Sequence, residues 1–191
     1  MNTILRPALV LLALFTLLTG VAYPLAVTGI GQLLFREQAN GSLVERDGKV
    51  VGSALIGQPF AADHYFHGRP SGAGTNGYDA SSSSGTNLGP SSKVLQDRIA
   101  GDLAKLKAEN PDMPVPADLL TASGSGLDPD ISPEAARFQV PRIAKARGLD
   151  PAALQKLVDA HTQGRWLGFF GEPHVSVLEL NLALDATKSG G

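Results

Sequence analysis

The sequence predicts an α+β protein: one N-terminal transmembrane helix followed by a single soluble α+β domain. Three observations carry that expectation. No charged residue lies between Arg6 and Arg36, and Asp47-Gly48 separates two short runs rich in valine, leucine and isoleucine. Further on, leucine and isoleucine recur at helical spacing after Ser92, and the chain closes on an alternating leucine run. A hairpin, helices and a final strand together describe a mixed fold.

The uncharged stretch comes first. "PALVLLALFTLLTGVAYPLAVTGIGQLLF" is long enough to cross roughly 30 Å of hydrocarbon as a helix, with Leu9, Leu12, Phe15, Leu18, Val27 and Ile30 among its apolar residues. Pro24 is expected to kink it, which a lipid-embedded helix tolerates when neighbouring groups satisfy the freed carbonyl. A signal peptide cleaved after Ala22 is the competing reading. Apolar residues nevertheless continue through Leu25, Val27, Ile30 and Leu33 to Phe35, further than a signal peptide requires.

The expected organisation is a short cytoplasmic N-terminus (1–6), the transmembrane helix with its exit segment (7–35) and an extracytoplasmic α+β domain (36–191). Charge alone does not orient the span, because Arg6 precedes it while Arg36, Arg46 and Lys49 follow. A short tail ahead of a long translocated domain favours the outside for residues after Phe35.

Two strands are expected at Ser42 to Arg46 and Lys49 to Ile56 around the Asp47-Gly48 turn. From Gly57 to Ser92 the composition shifts to glycine, serine, asparagine and proline, with Phe60, Tyr65, Phe66 and Tyr78 embedded. Such aromatics favour ordered loops over a spacer, since a Gly/Ser linker has no use for groups that need burying.

"SSKVLQDRIAGDLAKLKAEN" then reads as an amphipathic helix. Ser92 stands as its N-cap, Leu95, Ile99, Leu103 and Leu106 form its stripe, Asp97, Arg98, Asp102 and Lys105 its wet faces, and Asn110-Pro111 its stop. A short strand is expected around Leu119 to Ala122. Ser132-Pro133-Glu134 and Asp150-Pro151 each have the order of a helix start. Pro141 is expected to start or kink the intervening basic helix, and the helix opened by Asp150 to end near Gly164. Leu178, Leu180, Leu182 and Leu184 alternate with Glu179, Asn181 and Ala183, the pattern of a half-buried strand.

Composition narrows the function. A formal charge of −2 offers no basic face for nucleic acid, and the absence of cysteine removes thiolate catalysis and zinc-thiolate sites. Asp128, Asp130, Ser132 and Glu134 alternate as early calcium-loop ligands do, but Pro133 stands where such a loop needs glycine and the closing glutamate is missing. "GTNLGPSSK" is too short for a phosphate loop, no G-x-S-x-G elbow occurs, and His64, His67, His161 and His174 sit in no triad pattern.

Several stretches together resemble the C subunit of the Kdp potassium-transporting ATPase. They are "RPAL", "YPL", "QANGSL", "GSALIGQ", "YFHGRPS", "SSGTNLGPSS", "TASGSGLDPDISPEAARFQVPRIAKARG" and "VLELNLALD", in family order from Arg6 to Asp185. The sequence departs from the family pattern at Asp130, where many relatives carry histidine or asparagine, and at Ser176, where asparagine is expected.

The resemblance implies a non-catalytic, single-span accessory subunit of a bacterial inner-membrane complex for high-affinity potassium uptake. Its implied partners are a P-type ATPase subunit that hydrolyses ATP, a channel-like potassium-binding subunit and a small peptide subunit. The resemblance also implies a role in assembly and, as a proposed catalytic chaperone, in raising the ATPase subunit's affinity for ATP. No stably bound cofactor is expected, and ATP itself enters only by resemblance. A membrane-anchored nucleotide- or cation-binding module and a periplasmic hydrolase are the rival readings.

A surface for partners or for the potassium entrance is expected where three loops meet. These loops supply Phe66, Gly68, Arg69 and Pro70; Gly85, Asn87 and Gly89; and Gly124, Gly126, Asp128 and Asp130. Arg69 is expected to pair with an acid there, and the two aspartates to raise the local cation concentration.

Overall fold

A computed structural model describes residues 2–187. The chain divides into two compact units, residues 1–51 and 52–191.

In the first unit, α1 (Asn2–Leu17), a π-helical turn (Leu18–Ala22) and α2 (Tyr23–Leu34) form one continuous helical run. Thr3–Leu34 has a mean hydropathy of 2.2 over its most apolar window and is long and apolar enough to cross a membrane. At 1.5 Å per residue it measures about 48 Å, more than a hydrocarbon core requires.

The π turn has a local cause. Pro24 lacks an N–H and its ring crowds the preceding turn, so the backbone widens just ahead of it, and Tyr23 N–H reaches back to Leu18. Thr19 Oγ1 donates to Phe15 O at 2.7 Å. Leu9, Leu12, Phe15, Leu18, Val27 and Ile30 are all exposed on the helix surface.

At Phe35 the backbone leaves the helix, a short α3 (Arg36–Ala39) follows, and the Asn40 and Gln32 side-chain amides exchange hydrogen bonds across the corner. β1 (Leu43–Arg46) and β2 (Lys49–Ser53) then form the expected hairpin. Asp47 and Gly48 both have positive φ, 53° and 73°, as a two-residue turn matched to strand twist demands. β2 ends at Ser53 rather than at Ile56.

The second unit is built on helices. α5 (Pro133–Arg147), α6 (Pro151–Ala160) and α7 (Val177–Ala186) pack with a small antiparallel sheet, in which β5 (His174–Ser176) lies between β3 (Asp130–Ile131) and β4 (Thr162–Gln163). Phe66, Phe138, Ile143, Val158, Val175, Leu180 and Leu184 are fully buried at its centre. α4 (Lys93–Glu109) carries the predicted stripe, but Leu95, Ile99, Leu103 and Leu106 are only half-buried. Arg98, expected on a wet face, instead pairs with Asp102 and donates to Leu120 O.

Both predicted helix starts form. Ser132 accepts from Ala135 N and Asp150 from Ala152 N, with proline in the first turn each time. α5 runs through Pro141, which lies on its exposed side where water can replace the lost bond, and stops at Gly148 with φ 64°. α6 ends at Ala160, short of Gly164, because Thr162 and Gln163 are drawn into the sheet.

Two expected strands are absent. Ala117–Leu119 is a single 3₁₀ turn after Pro116; the Asp118 carboxylate accepts from Ser132 N and Oγ, and Leu119 is buried. The leucine alternation belongs to helix α7, capped by Ser176. Val177, Leu180, Asn181 and Leu184 are buried at three- and four-residue spacing, and Leu178 is buried on a different side, so the alternating leucines report a helix covered on more than one face. The strand itself is the preceding His174–Ser176.

Candidate functional site

The stretch from Asp63 to Arg69 has no regular structure, yet it is among the most firmly held parts of the domain. Phe66 N–H donates to Asn181 Oδ1 and Phe66 O accepts from Asn181 Nδ2, both at 2.9 Å. One residue on, His67 N–H donates to Gln139 Oε1 at 2.8 Å and His67 O accepts from Gln139 Nε2 at 3.1 Å. Two side-chain amides, each 2% exposed, thus pair with the loop backbone as a neighbouring strand would.

Two arginines reinforce the clamp. Arg142 from α5 binds Glu109 at 2.7 Å and donates to the carbonyls of Asp63 and Tyr65. Arg147 pairs with Asp185 at 2.6 Å, donates to His64 O and lies 5.0 Å over the Tyr65 ring, whose hydroxyl also donates to Asp185. Phe66 is therefore a core anchor: placing it on a partner surface was mistaken, because it is 0% exposed. Asn110, expected only to stop α4, is buried and donates to Phe138 O at 2.9 Å.

Beyond Phe66 the chain enters the loop cluster. Arg69 Nη1 lies 2.8 Å from Asp128 Oδ2 and its Nε donates to Thr121 O. Ser71 Oγ donates to Gly126 O and accepts from Tyr78 N at 2.7 Å, and Tyr78 donates to Arg69 O. Ser83 Oγ donates to Ser125 O at 3.0 Å, and Gly57 N donates to Leu127 O at 2.8 Å. The three loops do meet in space.

The contact is close enough to need glycine. A Cβ on Gly126, at φ 67°, would lie 2.5 Å from Ser84 O, and one on Gly68 would lie 2.6 Å from the Tyr78 hydroxyl. Gly85 backs onto Ser123 and Gly124. Asn87 and Gly89 are exposed beyond the contact, and Pro70 lines the neighbouring cleft.

Two concavities flank the cluster. A cleft of about 460 Å³ is lined by Phe60, His67, Arg69, Tyr78, Lys105 and Arg142, with Asp102 and Glu109 among them. Its arginines already hold acids, and burial with Arg142 nearby pushes His67 below its ordinary pKa. Burial, with Asp128 beside it, also pushes the Tyr78 hydroxyl up against the pull of Arg69.

The second recess, about 300 Å³, gathers Asp118, Asp128, Asp130, Glu172 and His174. Its first two acids are committed, Asp118 to Ser132 and Asp128 to Arg69. Among the described residues no group of three metal-ligating side chains is arranged to hold an ion.

Asp130 is placed differently. Burial raises its pKa most; His174, at 3.9 Å, lowers it, while Asp128 and Glu179 push it further up. A raised carboxyl pKa means the folded state binds its proton more tightly than the unfolded chain. Asp130 thus opposes folding above its raised pKa, and that cost fades as pH falls through it to the ordinary carboxylate value. Asp130→Asn is expected to flatten stability against pH in that window, read from chemical unfolding at pH values from the ordinary carboxylate range upward; an unaltered slope would contradict this.

The family described as the K+-transporting ATPase, c chain, KdpC, matches residues 5–186. The chain belongs to the KdpC family. Relatives named potassium-transporting ATPase KdpC subunit include one from Rhodopseudomonas palustris (strain BisB5), 60% identical over 194 residues and 96% of each chain. One from Bradyrhizobium diazoefficiens (strain USDA 110) is 59% identical, covering 95% of this chain and 96% of its own. A third, from Caulobacter vibrioides (strain NA1000 / CB15N), is 62% identical over 183 residues, 95% and 92% of the two chains.

Within this KdpC-family chain, sequence reasoning missed Gln139, Arg142, Arg147 and Asn181. A signal was present for two of them. Gln139 sits between Phe138 and Val140, and Asn181 between Leu180 and Leu182, and an amide inside an apolar run is either exposed or bonded in the core.

Proposed function

We propose that the chain is a non-catalytic accessory subunit of an ATP-driven potassium uptake complex, anchored in the bacterial inner membrane by one span with its domain outside. Its work there is to hold partner subunits together and to couple their states. The observation that carries this reading is the pinned loop cluster: long polar loops are fixed by buried amides and close glycine contacts, so they present a preformed surface.

A domain on the outer face cannot touch a cytoplasmic nucleotide site. Any effect on the ATPase subunit's affinity for ATP then runs through a conformational equilibrium that the span and the outer contacts bias. The 460 Å³ cleft supports this preference: a triphosphate entering it would meet Asp102 and Glu109, and would have to displace acids from Arg69 and Arg142.

The test is purification of the tagged chain in mild detergent from membranes of cells grown in scarce potassium. Recovery of an ATPase subunit and a channel-like subunit with potassium-stimulated ATPase activity is expected. Recovery of the chain alone, without that activity, would overturn the proposal. In the recovered complex, replacing Asp128 and Asp130 together by asparagine is expected to weaken apparent potassium affinity modestly, by less than about threefold, since Asp128 is already neutralised by Arg69. An unchanged affinity would remove cation attraction from the loop cluster's role.

A further inference from the structure

The segment "RWLGFFGE" between β4 and β5 turns its apolar residues outward. Trp166, Leu167, Phe169 and Phe170 are 69%, 66%, 66% and 53% exposed, a concentration of large apolar side chains that a soluble surface does not ordinarily leave open. The segment is nonetheless well formed. Trp166 and Phe170 exchange backbone hydrogen bonds, Leu167 and Gly168 take left-handed φ of 52° and 82°, and the Phe169 and Phe170 rings lie 4.3 Å apart. Arg165 and Glu172 close its base at 2.6 Å.

The surroundings discriminate between occupants. The two recesses beside the base contain Asp118, Asp128, Asp130, Glu134 and Glu172, five carboxylates, against Arg69 and Arg165. A bilayer surface rich in anionic lipid would repel this collar, and surface-binding segments carry unpaired lysine or arginine where this one carries an ion pair. Rigid aromatic tips in an acidic collar suit a protein socket.

We propose that this loop is a docking wedge that enters an apolar socket on a partner subunit, with lysine or arginine at the socket's rim facing the acidic collar. This rests on the reading above that the chain assembles with partners. The ordered backbone lowers the entropy lost on docking, and the aromatic residues supply the buried area.

Trp166 is the chain's only tryptophan, so its emission reports the wedge alone. In the full chain reconstituted without partners into phosphatidylethanolamine/phosphatidylglycerol vesicles with brominated acyl chains, Trp166 is expected to stay unquenched; strong quenching would place the wedge in lipid and overturn the proposal. In native membranes, a benzophenone side chain at position 167 is expected to crosslink to a subunit that co-purifies with potassium-stimulated ATPase activity. Adducts to lipid alone would overturn the proposal. The Trp166→Ser/Phe169→Ser double variant, and Leu167→Ser separately, should reach wild-type levels in the membrane while recovering at least about tenfold less partner. Failure of the wild-type chain to recover any partner would sink the assembly reading itself. Normal recovery by wild type and by both variants would sink only the wedge.

Discussion

Replacing Asn181 with leucine is expected to destabilise the domain by about 2–6 kcal/mol, the sum for two buried backbone groups left without partners. Asn181 is 2% exposed, and its amide satisfies both the N–H and the C=O of Phe66, itself wholly buried. Leucine has the volume to fill the site but neither the donor nor the acceptor, so Phe66 would either stay buried with orphaned polar groups or leave the core. Loss of the ring would add a cavity term of similar size. Chemical unfolding of the full chain in detergent, followed by circular dichroism, is the measurement; Trp166 is too exposed to report on this core. A cost under about 1 kcal/mol would mean that packing alone holds the loop.

Gly126→Ala is expected to disrupt the loop cluster, costing roughly 2–5 kcal/mol from strain and overlap together. The residue is buried at φ 67°, and a methyl there would lie 2.5 Å from Ser84 O and 2.7 Å from Ala73 N, both backbone atoms that no rotamer change can move. The loops carrying Ser71 and Ser84 would have to separate from Gly126, breaking the Ser71 bond to its carbonyl. Gly124→Ala is the matched control, because its Cβ would meet nothing within 4 Å. The complex recovered with Gly126→Ala should be depleted at growth temperature, whereas Gly124→Ala should match wild type. Equal recovery of the two would separate the cluster's geometry from its role in assembly.

Both effects concern residues whose importance is written unequally in the sequence. Gly126 sits in a stretch whose glycines, serines and aspartates announce a turn, so its conformational need is local and visible. Asn181 announces nothing beyond an amide in a leucine run. The leucine alternation does not mark a strand: Leu178 and Leu182 lie on one side of the ten-residue helix and Leu180 and Leu184 on the other, and Leu178, Leu180 and Leu184 are all buried, so a helix covered on both sides shows the same apolar pattern. The cap at Ser176 and the strong helical preference of leucine and alanine decide for the helix, with the strand displaced to His174–Ser176.

Local chemistry determined the apolar helix, the Asp47-Gly48 hairpin and the capped starts of α5 and α6, because caps, turns and hydrophobic period act over a few residues, whereas Ser92 stands ahead of α4 with no side-chain cap bond. Tertiary structure alone decided what the irregular stretch from Asp63 to Arg69 becomes. Its backbone is paired by Gln139 and Asn181, more than 70 residues away in sequence. It also decided that Arg69 neutralises Asp128, and that the apolar loop from Trp166 to Phe170 stays outside the core. Those outcomes depend on which distant donors find which acceptors once the core has closed, a pairing that no local pattern of residues encodes.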